Sequence, residues 1–347
     1  MSPRFVLLAS ALFAATACRE ARTTADGALA DGTPIGTVVS AAELAVFAPL
    51  PTIIPPKGAA NTEAQVALGR ALFYEPLLSD GHDVSCNSCH ALNGWGADGR
   101  RVSLGHDGRA GTRNSPSVYN AAGQLAQFWD GRAPDVEEQA KGPILNPIEM
   151  GMPDSAAVLA HLRASATYKA AFRAAFPGEA QPVSYDNVGH AIGAFERGLV
   201  TPSPWDRFLG GDTTALTKEE RWGLRTFIDV GCQSCHSGAY LGGDRFMKAG
   251  LVNPWPSQAD SGRYQVTKAA SDLFVFKVPS LRNVVKTGPY FHDGSVADLA
   301  EAVGLMAHHQ LGKDLTPQQR TAIVAYLGAL TGTLPSEYIA YPPKPKP

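Results

Sequence analysis

Cys86-Asn87-Ser88-Cys89-His90 and Cys232-Gln233-Ser234-Cys235-His236 each set two thiols three positions apart, with an imidazole directly after the second. C-x-x-C-H is the attachment site of a c-type haem. The thiols add to the two vinyl groups of the porphyrin, and the next residue then lies under the ring, where its imidazole binds the iron. With five Cys and nine His in 347 residues, chance supplies one such pentamer with odds of about 0.002. A zinc site or a thioredoxin-like pair would also use paired Cys, but neither requires His after the second Cys both times. The sequence therefore predicts two covalently bound haem c groups, one on Cys86, Cys89 and His90, the other on Cys232, Cys235 and His236.

A haem with one axial His can carry electrons, bind a ligand or activate an oxidant, and the sixth position decides. Seven other His remain. His161 and His190 sit in helical stretches and read as satisfied or solvent-facing side chains. His82 lies in the turn from Ser79 to Asp83. His106, in Leu104-Gly105-His106-Asp107-Gly108 on a loop after the first motif, is the natural distal candidate for the first iron. In the second half Met306 ends an apolar helical run from Leu299. It reads either as a core Met or as a thioether ligand, which would raise that haem's potential relative to a bis-His site. His308 and His309 follow closely and could compete with it.

The elements that must position these groups occur twice. Thr62 caps a helix running from Glu63 to about Tyr74, and the first haem motif follows a short loop. Thr217 and Glu220 form a capping-box pattern ahead of a helix through Trp222, Leu224 and Phe227, and the second motif follows at once. Each half closes on a similar helix, Ala191 to Phe195 with Leu199, and Ala322 to Tyr326 with Leu330, the latter opened by Thr316-Pro317. The fold class predicted is mainly α: two cytochrome c-like haem domains related by internal duplication, with long ordered loops. The boundaries expected are a signal peptide at 1–17, a flexible tether at 18–45, and a first haem domain at 46–200. A second haem domain at 201–333 and a tail at 334–347 packing back on the first follow. Ala41 to Pro56 is Pro-rich and reads as extended. The Gly-rich loops at 94–111 and 238–262 are long enough to be functional.

Composition sets the class. Hydrophobic residues make up 44% of the chain, and the 35 Gly and 26 Pro point to long loops. The net charge of −2, with no basic block, gives no sign of nucleic acid. Arg4, the apolar run from Phe5 to Ala14 and the small residues Ala15-Thr16-Ala17 read as an export signal too short to span a bilayer. Two readings stay open for Cys18, directly after the cleavage site: a lipid-modified anchor, or an incidental thiol after plain cleavage. Either way a periplasmic location is expected, membrane-tethered in the first case.

Several stretches resemble the bacterial di-haem cytochrome c peroxidases: Phe128-Trp129-Asp130-Gly131-Arg132-Ala133, Gln139 to Pro143, Asn146 to Gly151, Val278-Pro279-Ser280-Leu281-Arg282-Asn283 and Tyr290 to Val296. The resemblance covers nearly the whole mature chain, in order. It implies reduction of hydrogen peroxide with electrons from a small cytochrome c or cupredoxin. His90 would serve the peroxidatic haem, with His106 as its displaceable distal ligand. Gln139 and Glu149 would be the distal-pocket side chains, Glu149 the acid–base group. His236 and Met306 would ligate the donor-side haem, and Trp129 would lie between the two. Asn114, Thr287 and Pro289 would surround a calcium ion, the last two through carbonyls. A homodimer is implied. Arg113 and Arg282 could pair with haem propionates or be surface charges. The related di-haem enzyme of methylamine utilisation has Tyr where Met306 stands, which argues against that activity. A di-haem oxidase of organic or protein substrates and a non-enzymatic electron carrier are the alternative functions.

Overall fold

The computed structural model describes residues 38–342 apart from Lys57. The leader, Cys18, most of the tether and the last five residues lie outside the described residues. In chain order the helices described are α1 (Ala41–Leu44), α2 (Glu63–Phe73), α3 (Cys86–Cys89), α4 (Val136–Leu145), α5 (Ser155–Ala164) and α6 (Ala166–Ala175). They continue with α7 (Tyr185–Glu196), α8 (Pro204–Leu209), α9 (Lys218–Val230), α10 (Tyr264–Thr267), α11 (Leu299–Leu311) and α12 (Pro317–Gly328). Strands β1 (Phe246–Lys248) and β2 (Val275–Lys277) pair antiparallel, with Met247 opposite Phe276. The protein is mainly helical, and caps start its helices where the sequence places them. Thr62, Thr217 and Thr316 accept from the backbone three residues on, and Gln65, Glu220 and Gln319 return the bond.

One core gathers residues of α2, α4, α5, α6 and α7; another gathers α9, α11 and α12 around Trp205. Each core is pinned where two helices touch backbone to backbone. At Gly69 a Cβ would stand 1.8 Å from Ala191 O, and at Gly223 1.9 Å from Ala322 O. The flanking aromatics close each crossing, Phe73 on Phe195 at 5.6 Å and Phe227 on Tyr326 at 5.3 Å between centroids. Leu199 and Leu330, just beyond these helices, are both fully buried.

The lead-in differs from the extended segment expected. Ser40 and Glu43 form a capping box that winds α1, the same pattern that opens α9 and legible in the same way. Glu43 accepts from Arg225 (2.7 Å), Phe47 packs edge-on against Trp205 (5.3 Å), and Leu50 N donates to Asp206 (2.7 Å). Residues 39–50 therefore pack on the second core. At the other end Tyr338 stacks on Phe195 (5.2 Å) and donates to its carbonyl, and Tyr74 donates to Ile339 O. The described part of the tail lies on the first core.

Two further patterns recur. Pro116-Ser117-Val118-Tyr119-Asn120 and Pro279-Ser280-Leu281-Arg282-Asn283 share P-S-x-x-N. Ser117 donates to Trp95 O and Ser280 to Tyr240 O, both at 2.6 Å. Asn120 and Asn283 are buried with φ of 61°, a left-handed conformation that Asn tolerates better than most residues. Their amides donate to one hydroxyl, that of Thr201, each at 2.9 Å. Phe128-Trp129-Asp130-Gly131 and Phe291-His292-Asp293-Gly294 share F-x-D-G, with matching left-handed Phe and Gly. The halves then exchange bonds: Asn114 N donates to His292 O, and Lys277 N to Trp129 O, each at 2.8 Å.

Gly69→Val and Gly223→Val should each cost about 1–3 kcal/mol or more, since backbone must move to admit the side chain. Gly178→Ala, whose Cβ meets nothing within 4 Å, should stay within about 0.5 kcal/mol. Denaturant midpoints of the three variants check this.

Candidate active site

In the second half, α9 delivers the C-x-x-C-H stretch to a cavity whose open space, mouth included, is ≈ 1290 Å³. Cys232, Cys235, His236 and Met306 all line it, among Phe227, Leu281, Val303 and other apolar side chains. Met306 shares one face of α11 with Leu299, Ala302 and Val303, which also line the cavity. His308 and His309 point elsewhere: His308 meets Asp314 (2.8 Å), and His309 donates to Asn253 O (3.1 Å) beside Trp255. They do not compete with Met306 for this cavity.

The two imidazoles that follow the thiols are set alike. His236 Nδ1–H donates to Leu241 O (3.0 Å) and His90 Nδ1–H to Gly96 O (3.4 Å). That fixes the tautomer and leaves Nε2 with a free lone pair, as a metal-ligating His requires. Burial also lowers both pKa values, keeping the rings neutral. Burial pushes the Cys86 and Cys232 thiols up to about 12, so they are not ready-made thiolate ligands. Among the described residues no group of three or more His, Cys, Asp or Glu is poised to hold a metal ion. The zinc reading does not fit; thiols, a presented imidazole and apolar walls fit an apolar macrocycle bonded through sulfur. Beside the first motif Trp95 Nε1 and Ser103 Oγ are buried without partners, and in the second Gln233 Oε1. The two orphaned donors at the first motif, an indole N–H and a hydroxyl, suit a group carrying carboxylates.

In the first half Glu149 is mostly buried at the end of the α4 loop. Burial raises its pKa, opposed by the charge of Arg132 and a hydrogen bond from Asn146 Nδ2 (2.8 Å). Gln139 stands half-buried on α4. His106 N donates to Glu149 O (2.7 Å), tying their loops together. The His106 ring lies among carboxylates: Nδ1 is 3.1 Å from Asp83, and Nε2 is 3.3 Å from Asp107 and 3.8 Å from Asp80. Both ring nitrogens thus face carboxylates.

Trp129 lines the second-half cavity and also a neighbouring one of ≈ 890 Å³. Its Nε1 donates to Asn114 O (2.9 Å), and its ring lies 6.4 Å from that of His292. Asn114, Thr287 and Pro289 all line the neighbouring cavity. Asn114 Nδ2 donates to Arg100 O and Arg101 O, which leaves its Oδ1 as an acceptor. Arg113 and Arg282 are not surface charges. Arg113 joins Asp130 (2.6 Å) to Asp260 (2.6 Å), and Arg282 pairs with Asp206 (2.7 Å) while donating to Ser203 and Ala239 O.

Residues 63–214 match the family model described as di-haem cytochrome c peroxidase. The cytochrome c551 peroxidase of Pseudomonas aeruginosa PAO1 is 45% identical over 304 residues, 86% of this chain and 87% of that one. The chain belongs to the di-haem cytochrome c peroxidase family. The cytochrome c peroxidase Ccp of Escherichia coli K12 is 43% identical over 82% of this chain, which spans 60% of that longer protein. A MauG-like protein associated with microbial copper homeostasis has a similar structure, with a TM-score of 0.74 and 30% identity over 84% of this chain and 98% of that one. As a family member the protein is a peroxidase with two haem groups.

Three features of this peroxidase escape the sequence reading. The carboxylates around His106 come from two loops, Asp80 and Asp83 from one and Asp107 from the other. Lys277 immediately precedes the Val278–Asn283 stretch and is buried between the two halves. Glu196 is fully buried and burial raises its pKa to about 8; as the last residue of α7 it looks like an ordinary solvated charge.

Arg113→Leu would leave Asp260 without its cation and Asp130 with Arg132 alone. Removing one member of a buried ion-pair network costs about 3–5 kcal/mol, and urea unfolding of the variant should show a loss of that size.

Proposed function

We propose that this protein reduces hydrogen peroxide to two waters in the periplasm, using two electrons from a small cytochrome c or cupredoxin. Both haems are attached covalently, through Cys86 and Cys89 and through Cys232 and Cys235. His90 holds the peroxidatic haem and His236 with Met306 the donor-side haem. The observation that carries the reading is the inequality of the two sites. A thioether shares the second cavity with His236, while His106 is held off among Asp80, Asp83 and Asp107. A bis-ligated site suits electron transfer; a site whose distal His is elsewhere suits an incoming oxidant.

Bound haem supplies the iron at which the O–O bond is cleaved and the orbitals through which electrons arrive. The chain supplies the rest. Glu149, its proton affinity raised by burial, would accept a proton from one peroxide oxygen and return it to the leaving oxygen. Gln139 offers an amide to orient the substrate. Trp129, fixed by Asn114 O, bridges the two sites. With two electrons and two protons taken up, one peroxide gives two waters.

The repeated helix crossings, the P-S-x-x-N and F-x-D-G pairs and the exchanged backbone bonds support an internal duplication, with haem domains at 46–200 and 201–333. Asn114 Oδ1 and the carbonyls of Thr287 and Pro289 suit a calcium ion completed by water, since hard cations take oxygen ligands without requiring carboxylates from every side. A homodimer and a lipid anchor on Cys18 complete the proposal. Among the described residues no helix is long and apolar enough to cross a membrane.

Glu149→Gln should keep both haems, judged by their absorption, while turnover falls about 10²–10⁴-fold; near-parental peroxidase rates would exclude the assigned role. Met306→His should lower the potential of one haem and leave the other in place. A redox titration in which neither midpoint moves would remove Met306 from the iron.

A further inference from the structure

Lys277 closes β2 and is 7% exposed. Its N–H donates to Trp129 O (2.8 Å), and its ammonium donates to Gln124 Oε1 and to Ala126 O (2.8 Å). Main chain and side chain thus grip the 124–129 segment at both ends. The residue lines the donor-side cavity and the neighbouring one, as Trp129 does. Its partner in the other half is Asn114, which makes the equivalent backbone bond to His292 O. Where that position carries an amide, this one carries a charge.

The charge is not needed for packing. Both acceptors of the ammonium are neutral, and burying a cation against neutral groups is costly. The facing carboxylate is Asp130, which already serves Arg113 and Arg132. Burial lowers the Lys277 pKa to about 8, with Asp130 acting to raise it. In a water-poor interior its field reaches far more strongly than at the surface.

We propose that Lys277 is a positioning residue for electron passage between the haem sites: it fixes the Trp129 segment and places a positive charge beside the path. That charge favours the reduced form of each site and disfavours a positive charge on Trp129. An electron passing from the donor-side haem to the peroxidatic one oxidises the first and reduces the second by one electron, with no proton exchanged at Lys277 and no hole left on the indole. This rests on the reading of Trp129 as the bridge between the sites.

The test is spectroelectrochemical titration of the di-haem protein as parent, Lys277→Met, Lys277→Arg and Gln124→Glu, with inter-haem transfer followed after flash reduction. Lys277→Met should make both haems harder to reduce, by about tenfold or more in the equilibrium with a common mediator, and slow the transfer. Lys277→Arg should restore both towards the parent. Gln124→Glu, which sets a carboxylate against the ammonium from a half-exposed position, should move the potentials the same way as Lys277→Met, and it decides the matter if Lys277→Met does not load haem. Unmoved potentials in Lys277→Met or Gln124→Glu, or an equal drop in Lys277→Arg, would overturn the proposal. Trp129→Phe separates the two readings: undiminished transfer there removes the bridge, while the potentials of the Lys277 variants still report on the charge.

Discussion

The structure depends on a reciprocal exchange of backbone hydrogen bonds. Asn114 of the first half bonds the carbonyl of His292 in the second, and Lys277 of the second bonds the carbonyl of Trp129 in the first, each at 2.8 Å. Neither half completes its F-x-D-G turn without a donor from the other. Thr201 joins the same seam, accepting from the amides of Asn120 and Asn283. Buried backbone groups must find partners, and here those partners lie across the seam. Trp129 is therefore held by both halves at once.

On this near-symmetric frame the chemistry is made unequal by a few side chains. The frame treats both imidazoles alike, each with Nδ1 on a carbonyl and Nε2 left free. The difference lies beyond them. A helix runs past the second cavity and supplies Met306 from its apolar face. A loop supplies His106 to the first half, tied through its backbone to Glu149 and through its ring to three Asp. Helical residues are locked by packing; loop residues can change partners at lower cost. Met306 is therefore set by the packing of a helix and His106 by the contacts of a loop.

What could be read from the sequence was local. The thiol–imidazole spacing is a demand of covalent chemistry within five residues, and the helix starts are capping boxes within four. The Ser40–Glu43 box was equally readable, but the Pro-rich surroundings masked it. What could not be read were pairings across the chain. Arg113 finds Asp260, and Arg225 finds Glu43, partners that no short window contains. The P-S-x-x-N repeat was also hard to see, because the loops separating it from the haem motifs differ in length between the halves. Lys277 was obscured by its type, since lysine is seldom buried.

The C-terminal segment gives the architecture a temporal order. Residues 334–341 rest on α2 and α7, with Tyr338 and Ile339 bonded to the first core, while α1, near the start of the described chain, rests on the second. As the polypeptide leaves the ribosome or a translocation pore, the first core waits for residues 334–341 before its surface is sealed, and α1 waits for α9. Each core is thus completed by a segment distant in the chain, so a nick before residue 334 would be felt first at Tyr74 and Phe195.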